Sequence, residues 1–398
     1  MNGRLLNPVP RRALNLAVVT ETYPPEINGV AQSLGRLVDG LRARGHHIQL
    51  VRPRQQTGEQ GRQQPGFCEV LSAGLPIPYY PNLRLGLPAR RRLRALWQNQ
   101  RPDLVHIITE GPLGWSALQA ARELRIPVCS DFRTNFHRYS AHYGIGRLQR
   151  LIIAYLRTFH NRTQATLVPT DELRQELARS GFENLAVISR GVDTGHFTPE
   201  RRDDELRRQW GVDDRGETPV VLHVGRIAAE KNLTALNAAF AEIRRRCPSA
   251  RLLLVGDGPE TGKLRSRWPD AIFTGMLRGE ALARHYASAD FFLFPSLTET
   301  FGNVTLEAMA SGLPVVAFDY AAAREHVRHG INGLIADCTQ PHQFTAAAGE
   351  MVDCFQHDRA RFNHLGERAR ATARTLDWSD IVNALESLLH RLADPPTP

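Results

Sequence analysis

The chain is built of short apolar runs separated by amphipathic stretches. "LNLAVVT" (14–20) is the first run, and the loop and helix after it, "ETYPPEINGVAQSLGRLVDGLRARGH", set Leu34, Leu37, Val38 and Leu41 on one helical side. Further runs stand at 47–53, 103–109, 127–132 and 165–170, with helical stretches such as "GWSALQAARELR" between them. Short apolar strands alternating with helices predict an α/β protein whose parallel sheet is covered on both faces.

The pattern restarts after "VISRGVDTGHFTPERRDDE", a polar stretch that reads as a linker. Runs at 219–226, 250–258, 271–275, 290–296 and 313–319 predict five more strands. Two α/β domains follow, 1–192 and 193–377, and 398 residues are ample for both. The last helical stretch, after Trp378, has no strand behind it.

No run approaches the roughly eighteen apolar residues of a membrane-spanning helix. The start, "MNGRLLNPVPRRALNLAVV", lacks the layout of a secretion signal, and cysteines 68, 129, 247, 338 and 354 form no C-x-x-C pair. A cytoplasmic protein is expected. Charge changes this picture. The net charge is +9, and the first hundred residues alone hold fourteen Arg against five acids. The densest part, 84–101, carries six Arg and no acid, with Leu93, Leu96 and Trp97 interleaved. It reads either as a solvated basic helix or as a patch for an anionic membrane face; nucleic acid is disfavoured, since no basic aromatic module accompanies it. The stretch 146–160 repeats Leu148, Leu151, Ile152, Tyr155, Leu156 and Phe159 at helical spacing, a stripe more often core than membrane face.

Arg is so dominant that Lys231 and Lys263 are the chain's two lysines. "HVGRIAAEKN" puts Arg226 and Lys231 on one loop leaving a strand, a planar fork and a point charge suited to a diphosphate. In "ETFGNVTLEAMASG" (299–312), Gly302 lets a ligand approach the backbone, and the helix starting near Val304 offers free N–H groups to an anion. Glu307 lies one turn in, able to accept two hydroxyls of a ribose or hexose; otherwise it is a plain helix acid. Glu299 is either a companion acceptor or an acid favoured by the helix dipole. "LVGDGPE" reads as a structural turn. There is no G-x-G-x-x-G after an opening strand, no Walker loop and no H-E-x-x-H, so dehydrogenase, P-loop and zincin chemistries are disfavoured.

These motifs together resemble family 4 of the retaining glycosyltransferases, of the GT-B type with two Rossmann-like domains. The resemblance rests on E-x7-E in "ETFGNVTLE", "AMASGLPVVA" after it, G-R-x4-K-N upstream, the loop "VTETYPPEINGVAQSL" and the segment "RGVDTGHF". It spans about residues 14 to 385, and bacterial mannosyltransferases and glycolipid glucosyl- or sulfoquinovosyltransferases are the nearest kinds. The resemblance implies that Glu307 holds ribose hydroxyls and Glu299 the transferred sugar. It implies that Phe301, Gly302, Asn303 and Val304 present backbone N–H groups, that Arg226 and Lys231 neutralise the leaving diphosphate without a metal, and that Gly29 lets the first domain close. The helix at 378–398 would cross back onto the first domain.

In one place the chain departs from the family. Relatives carry a His in an aromatic-His-Thr segment near the reacting carbon, and "DFRTNFHRY" has Arg133 there, with His137 four residues on. Either could act at that carbon, and Arg133 could bind a phosphate or sugar carboxylate. A glycosidase would use two carboxylates but not the cationic loop. The leading expectation is a hexosyltransferase using a UDP- or GDP-sugar on a membrane lipid such as diacylglycerol or a glycolipid, peripheral on the inner membrane face. The alternatives are a soluble transferase for polysaccharide or lipopolysaccharide and an inactive sugar-nucleotide-binding relative.

Overall fold

The computed structural model describes residues 12–24, 26, 29–77, 80–133, 146–212 and 216–394. Two mostly parallel sheets carry the fold. In spatial order the first holds Leu185–Val187, Ala165–Val168, Val128–Asp131, Leu104–Ile107, Asn15–Val19, His47–Pro53, Phe67–Ser72 and the short antiparallel Gln63–Gln64. The second runs Ile272–Gly275, Arg251–Val255, Val220–Val224, Phe291–Phe294, Val315–Phe318 and Gly333–Ala336. The chain therefore forms all the strands that the apolar runs predict. Central strands such as Val220–Val224 and Phe291–Phe294 are buried throughout, because helices cover both faces.

Several strands escaped the pattern for a physical reason. Phe67–Ser72 carries Glu69 mid-strand, which breaks the apolar run. The carboxylate is buried but held by Arg62 Nη2 at 2.6 Å and by Arg52 Nη2 at 3.4 Å. The basic segment is also divided: Tyr80–Gly86 ends as a strand, and Arg90–Asn99 is a helix. Leu93 and Trp97 of that helix are core, Trp97 Nε1 donating to Gln49 Oε1 at 2.8 Å, so they do not form a membrane face. Arg90 and Arg94 pair with Glu123, leaving Arg91 and Arg92 outward.

The final helix, Trp378–Ala393, lies on the first sheet's helix Gly29–Ala43. Val382, Leu385, Leu388 and Leu389 enter the first half's core, Arg44 Nη2 donates to Asn383 Oδ1 at 2.7 Å, and His46 Nε2 meets Glu386 at 3.0 Å. The stretch read as a linker is also tied in: Val192 N donates to Leu376 O at 3.0 Å, and Gly191 packs on Trp378 backbone. Among the described residues, no helix is long and apolar enough to cross a membrane.

Candidate active site

In each sheet the chain starts at a central strand and winds outward in both directions. The carboxyl ends of the strands at that switch line a crevice, and there loops diverge to leave room for a ligand. In the second sheet the switch lies between Val220–Val224 and Phe291–Phe294, and both following loops carry site residues.

The first loop runs through Gly225 and Arg226 to a short turn, Ala229–Lys231, and then Asn232 in left-handed conformation (φ 55°) before helix Leu233–Arg246. Two side chains bind it to the second loop. Asn232 Nδ2 donates to Pro295 O at 3.2 Å, and Thr298 Oγ1 donates to Glu230 O at 2.9 Å. Gly256 supports it from behind, since a Cβ there would lie 2.0 Å from the Gly225 carbonyl oxygen. This is why "GDG" reads as a turn: its backbone is the bed of the cationic loop.

With the loops fixed, Lys231 Nζ donates to Glu299 Oε1 in an ion pair only 13% and 17% exposed. Ser296 Oγ donates to the same oxygen at 2.8 Å, and Tyr320 Oη to the Glu299 carbonyl at 2.8 Å. Burial pushes the Glu299 carboxyl up, but the Lys231 charge and the hydrogen bonds from Lys231 and Ser296 outweigh it and hold it below its usual range. Beside the pair, fully buried His223 donates Nδ1 to Leu293 O at 3.1 Å. Burial above all pushes it down to about 4, so it is neutral. Arg226 stands at the rim, 40% exposed, 3.3 Å from Glu230.

Helix Asn303–Ala310 begins at Gly302, whose φ of 89° belongs to glycine. No side chain caps it, and the N–H groups of Gly302, Asn303 and Val304 have no acceptor among the described residues. Phe301 contributes backbone alone: its ring is core, 5% exposed, and its carbonyl accepts from Ala322 N at 2.9 Å. Glu307 accepts a hydrogen bond from buried Tyr286 Oη at 2.9 Å. Burial pushes its carboxyl up to about 7, with Tyr286 opposing.

The first sheet faces this array with the loops after Asn15–Val19 and Val128–Asp131. Arg133, buried, binds Asp131 and accepts Thr300 Oγ1 on its carbonyl at 2.7 Å, so the two halves touch beside Glu299. His106 Nε2 reaches Asp131 at 2.6 Å. A Cβ at Gly29 would lie 3.6 Å from Asn303 Nδ2, so the first loop also meets the helix start. Glu172 accepts from Ala321 N at 3.3 Å farther along. His137 lies outside the described residues.

The structure thus brings Glu299, Lys231, Gly302, Asn303 and Glu307 to one crevice, with Arg226 at its rim and Gly29 and Arg133 opposite. Sequence reasoning missed Tyr286, His223, Asp131 and Glu21. Tyr286 looks like any apolar residue of its helix. Glu21, in the quoted loop, accepts Gly86 N at 3.2 Å and is pushed by burial to about 7.

Comparison with known proteins identifies the family and the fold. The family described as glycosyl transferases group 1 matches residues 218–353, and glycosyltransferase family 4 matches 27–196. A GDP-mannose-dependent alpha-mannosyltransferase of Mycolicibacterium smegmatis is 34% identical over 95% of this chain and 98% of its own. An alpha-monoglucosyldiacylglycerol synthase of Streptococcus pneumoniae is 28% identical over 81% of this chain and 74% of its own. Among solved structures, sucrose-phosphate synthase from Thermosynechococcus elongatus superposes with a TM-score of 0.75 at 20% identity, covering 95% of this chain and 99% of that one, which shows the GT-B fold. The chain belongs to the family 4 glycosyltransferases, and it is a hexosyltransferase.

Proposed function

We propose that the protein transfers a glucose- or mannose-type hexose from a UDP- or GDP-sugar to a membrane lipid, with retention of anomeric configuration and without a metal. The observation that carries this is the Lys231–Glu299 pair beside the uncapped start of helix Asn303–Ala310. Departure of a nucleoside diphosphate builds charge on phosphate oxygens. Lys231, Arg226 and the N–H groups of Gly302, Asn303 and Val304 would receive that charge. In this reading Glu307 accepts the ribose hydroxyls and Glu299 the hydroxyls of the sugar. Acceptor attack on the face from which the diphosphate leaves would retain configuration.

A lipid acceptor is supported by exposed apolar side chains in the first half, Leu75 at 55% and Leu151 at 66%. Tyr155, 43% exposed and one turn from Leu151, stacks on Trp115. The glycolipid synthase among the relatives points the same way. The burial of Leu93 and Trp97 favours the second reading, a soluble transferase acting on a polysaccharide or lipopolysaccharide.

The test is thermal melting in EDTA with UDP, GDP and their sugar conjugates. A donor at a hundredfold its dissociation constant stabilises by about 2.7 kcal/mol, so one nucleotide series should raise the melting temperature. No response to any of them would refute the donor assignment.

A further inference from the structure

Arg190, in the stretch joining the two halves, is 7% exposed. Its side chain makes no hydrogen bond or ion pair among the described residues. Arg133 is 5% exposed, and its Nη1 likewise has no hydrogen-bond partner. The carboxylate within electrostatic reach of both is Asp131, which Arg133 and His106 already engage. Residues 134–145, which follow Arg133, contain no Asp or Glu.

Two largely buried guanidinium groups therefore share the field of one carboxylate, and the one that pairs with it, Arg133, still has a buried Nη1 without a hydrogen-bond partner. Burial, with Arg133's charge, pushes Arg190 down to about 9 against the pull of Asp131, which still leaves it ionised at neutral pH. A largely buried charge without a partner destabilises a fold, so a fold that keeps one has reason to do so. A guanidinium fork matches carboxylate, sulfonate and phosphate oxygens. The pair's place is also informative, because the Arg133 carbonyl accepts Thr300 Oγ1 at 2.7 Å, next to Glu299 and across the crevice from Lys231.

We propose that Arg133 and Arg190 form a second anion site, separate from the diphosphate site, that takes a carboxylate, sulfonate or phosphate carried by one of the two substrates. The proposal rests on the transferase reading above, and it gives that reading an anionic sugar or an anionic acceptor headgroup.

The first experiment is thermal melting of the full chain with D-glucuronate, and with D-glucose as neutral control, at constant ionic strength. Wild type, R190M and K231M are compared. Glucuronate alone should raise the melting temperature of wild type and of K231M, and it should leave R190M unmoved. R190M by itself should melt at or above wild type, because a buried unpaired charge is gone. R190K, which keeps the charge and loses the fork, should respond weakly. An R190M that melts below wild type, or that still responds to glucuronate, overturns the proposal.

A second experiment finds the source of the anion. UDP-glucuronate is set against UDP-glucose as donor, and glucuronosyl- against glucosyl-diacylglycerol in neutral vesicles as acceptor. A preference of about tenfold or more in kcat/KM, lost in R190M, is expected in one comparison and names the substrate that carries the charge. No preference in either comparison overturns the proposal. If UDP and GDP both fail to stabilise wild type while glucuronate succeeds, the donor reading fails and the anion site stands.

Discussion

Lys231 and Glu299 come from loops 68 residues apart and form one hydrogen-bonded ion pair at the mouth of the crevice. Neither has such a place by itself. Asn232 and Thr298, each beside one member of the pair, stitch the two loops together. The pair keeps a carboxylate ionised where sugar hydroxyls are proposed to bind and a cation where phosphate charge is proposed to develop.

Removing Lys231 should therefore act twice. K231M leaves a nearly buried carboxylate without its cation, so we expect a stability loss of about 3 kcal/mol by chemical denaturation. Transfer should also fall by a factor of about 100 or more, since a preorganised charge is lost from the leaving group. A variant that melts like wild type would show that the pair is not an energetic unit.

Glu307 should make nucleotide binding depend on pH. Its carboxyl is pushed up to about 7 in the folded protein, above its ordinary 4.5. The folded protein thus holds a proton that the unfolded chain has released, so this group's effect on stability is least adverse below the unfolded value. Stability from it falls as pH rises to about 7 and then levels. Ribose hydroxyls need the ionised form as acceptor, so affinity for UDP or GDP should rise with pH toward the same point. Calorimetric titration from about pH 6 to 8 checks this, and E307Q should flatten the profile. Y286F removes a donor to the ionised form and should move the midpoint upward.

Gly256 is a backbone requirement of the cationic loop. G256A would place a methyl group 2.0 Å from the Gly225 carbonyl oxygen at a φ of 135°. We expect a loss of about 2–3 kcal/mol in stability and a weaker hold on the diphosphate, read by denaturation and by nucleotide affinity. Unchanged values would show that the turn moves independently of Arg226 and Lys231.

Membrane association should depend on the first half. Flotation with anionic vesicles should fall with R91E/R92E and with L151E, which change outward side chains and leave Leu93 and Trp97 packed. Binding that is indifferent to all three favours the soluble reading.

Much of the fold was legible because parallel strands buried on both faces appear as plain apolar runs. What escaped has a common cause. Glu69 interrupts a strand that only Arg52 and Arg62 make tolerable, and both lie outside that strand's sequence. The basic segment stayed open between a solvated helix and a membrane patch because charge count does not say which way Trp97 points. Glu299, Lys231 and Glu307 were legible as chemistry because short motifs set their spacing. The proposed anion site was legible only at Arg133, since His106 and Arg190 lie far from it along the chain.

The most direct test of the proposed division of roles compares E299Q with E307Q, each measured for hexosyl transfer and for nucleoside diphosphate affinity. E299Q should lose transfer by a factor of about 100 or more while binding the nucleotide within a few-fold of wild type. E307Q should lose nucleotide affinity first. An E299Q enzyme that transfers sugar near the wild-type rate would contradict the account.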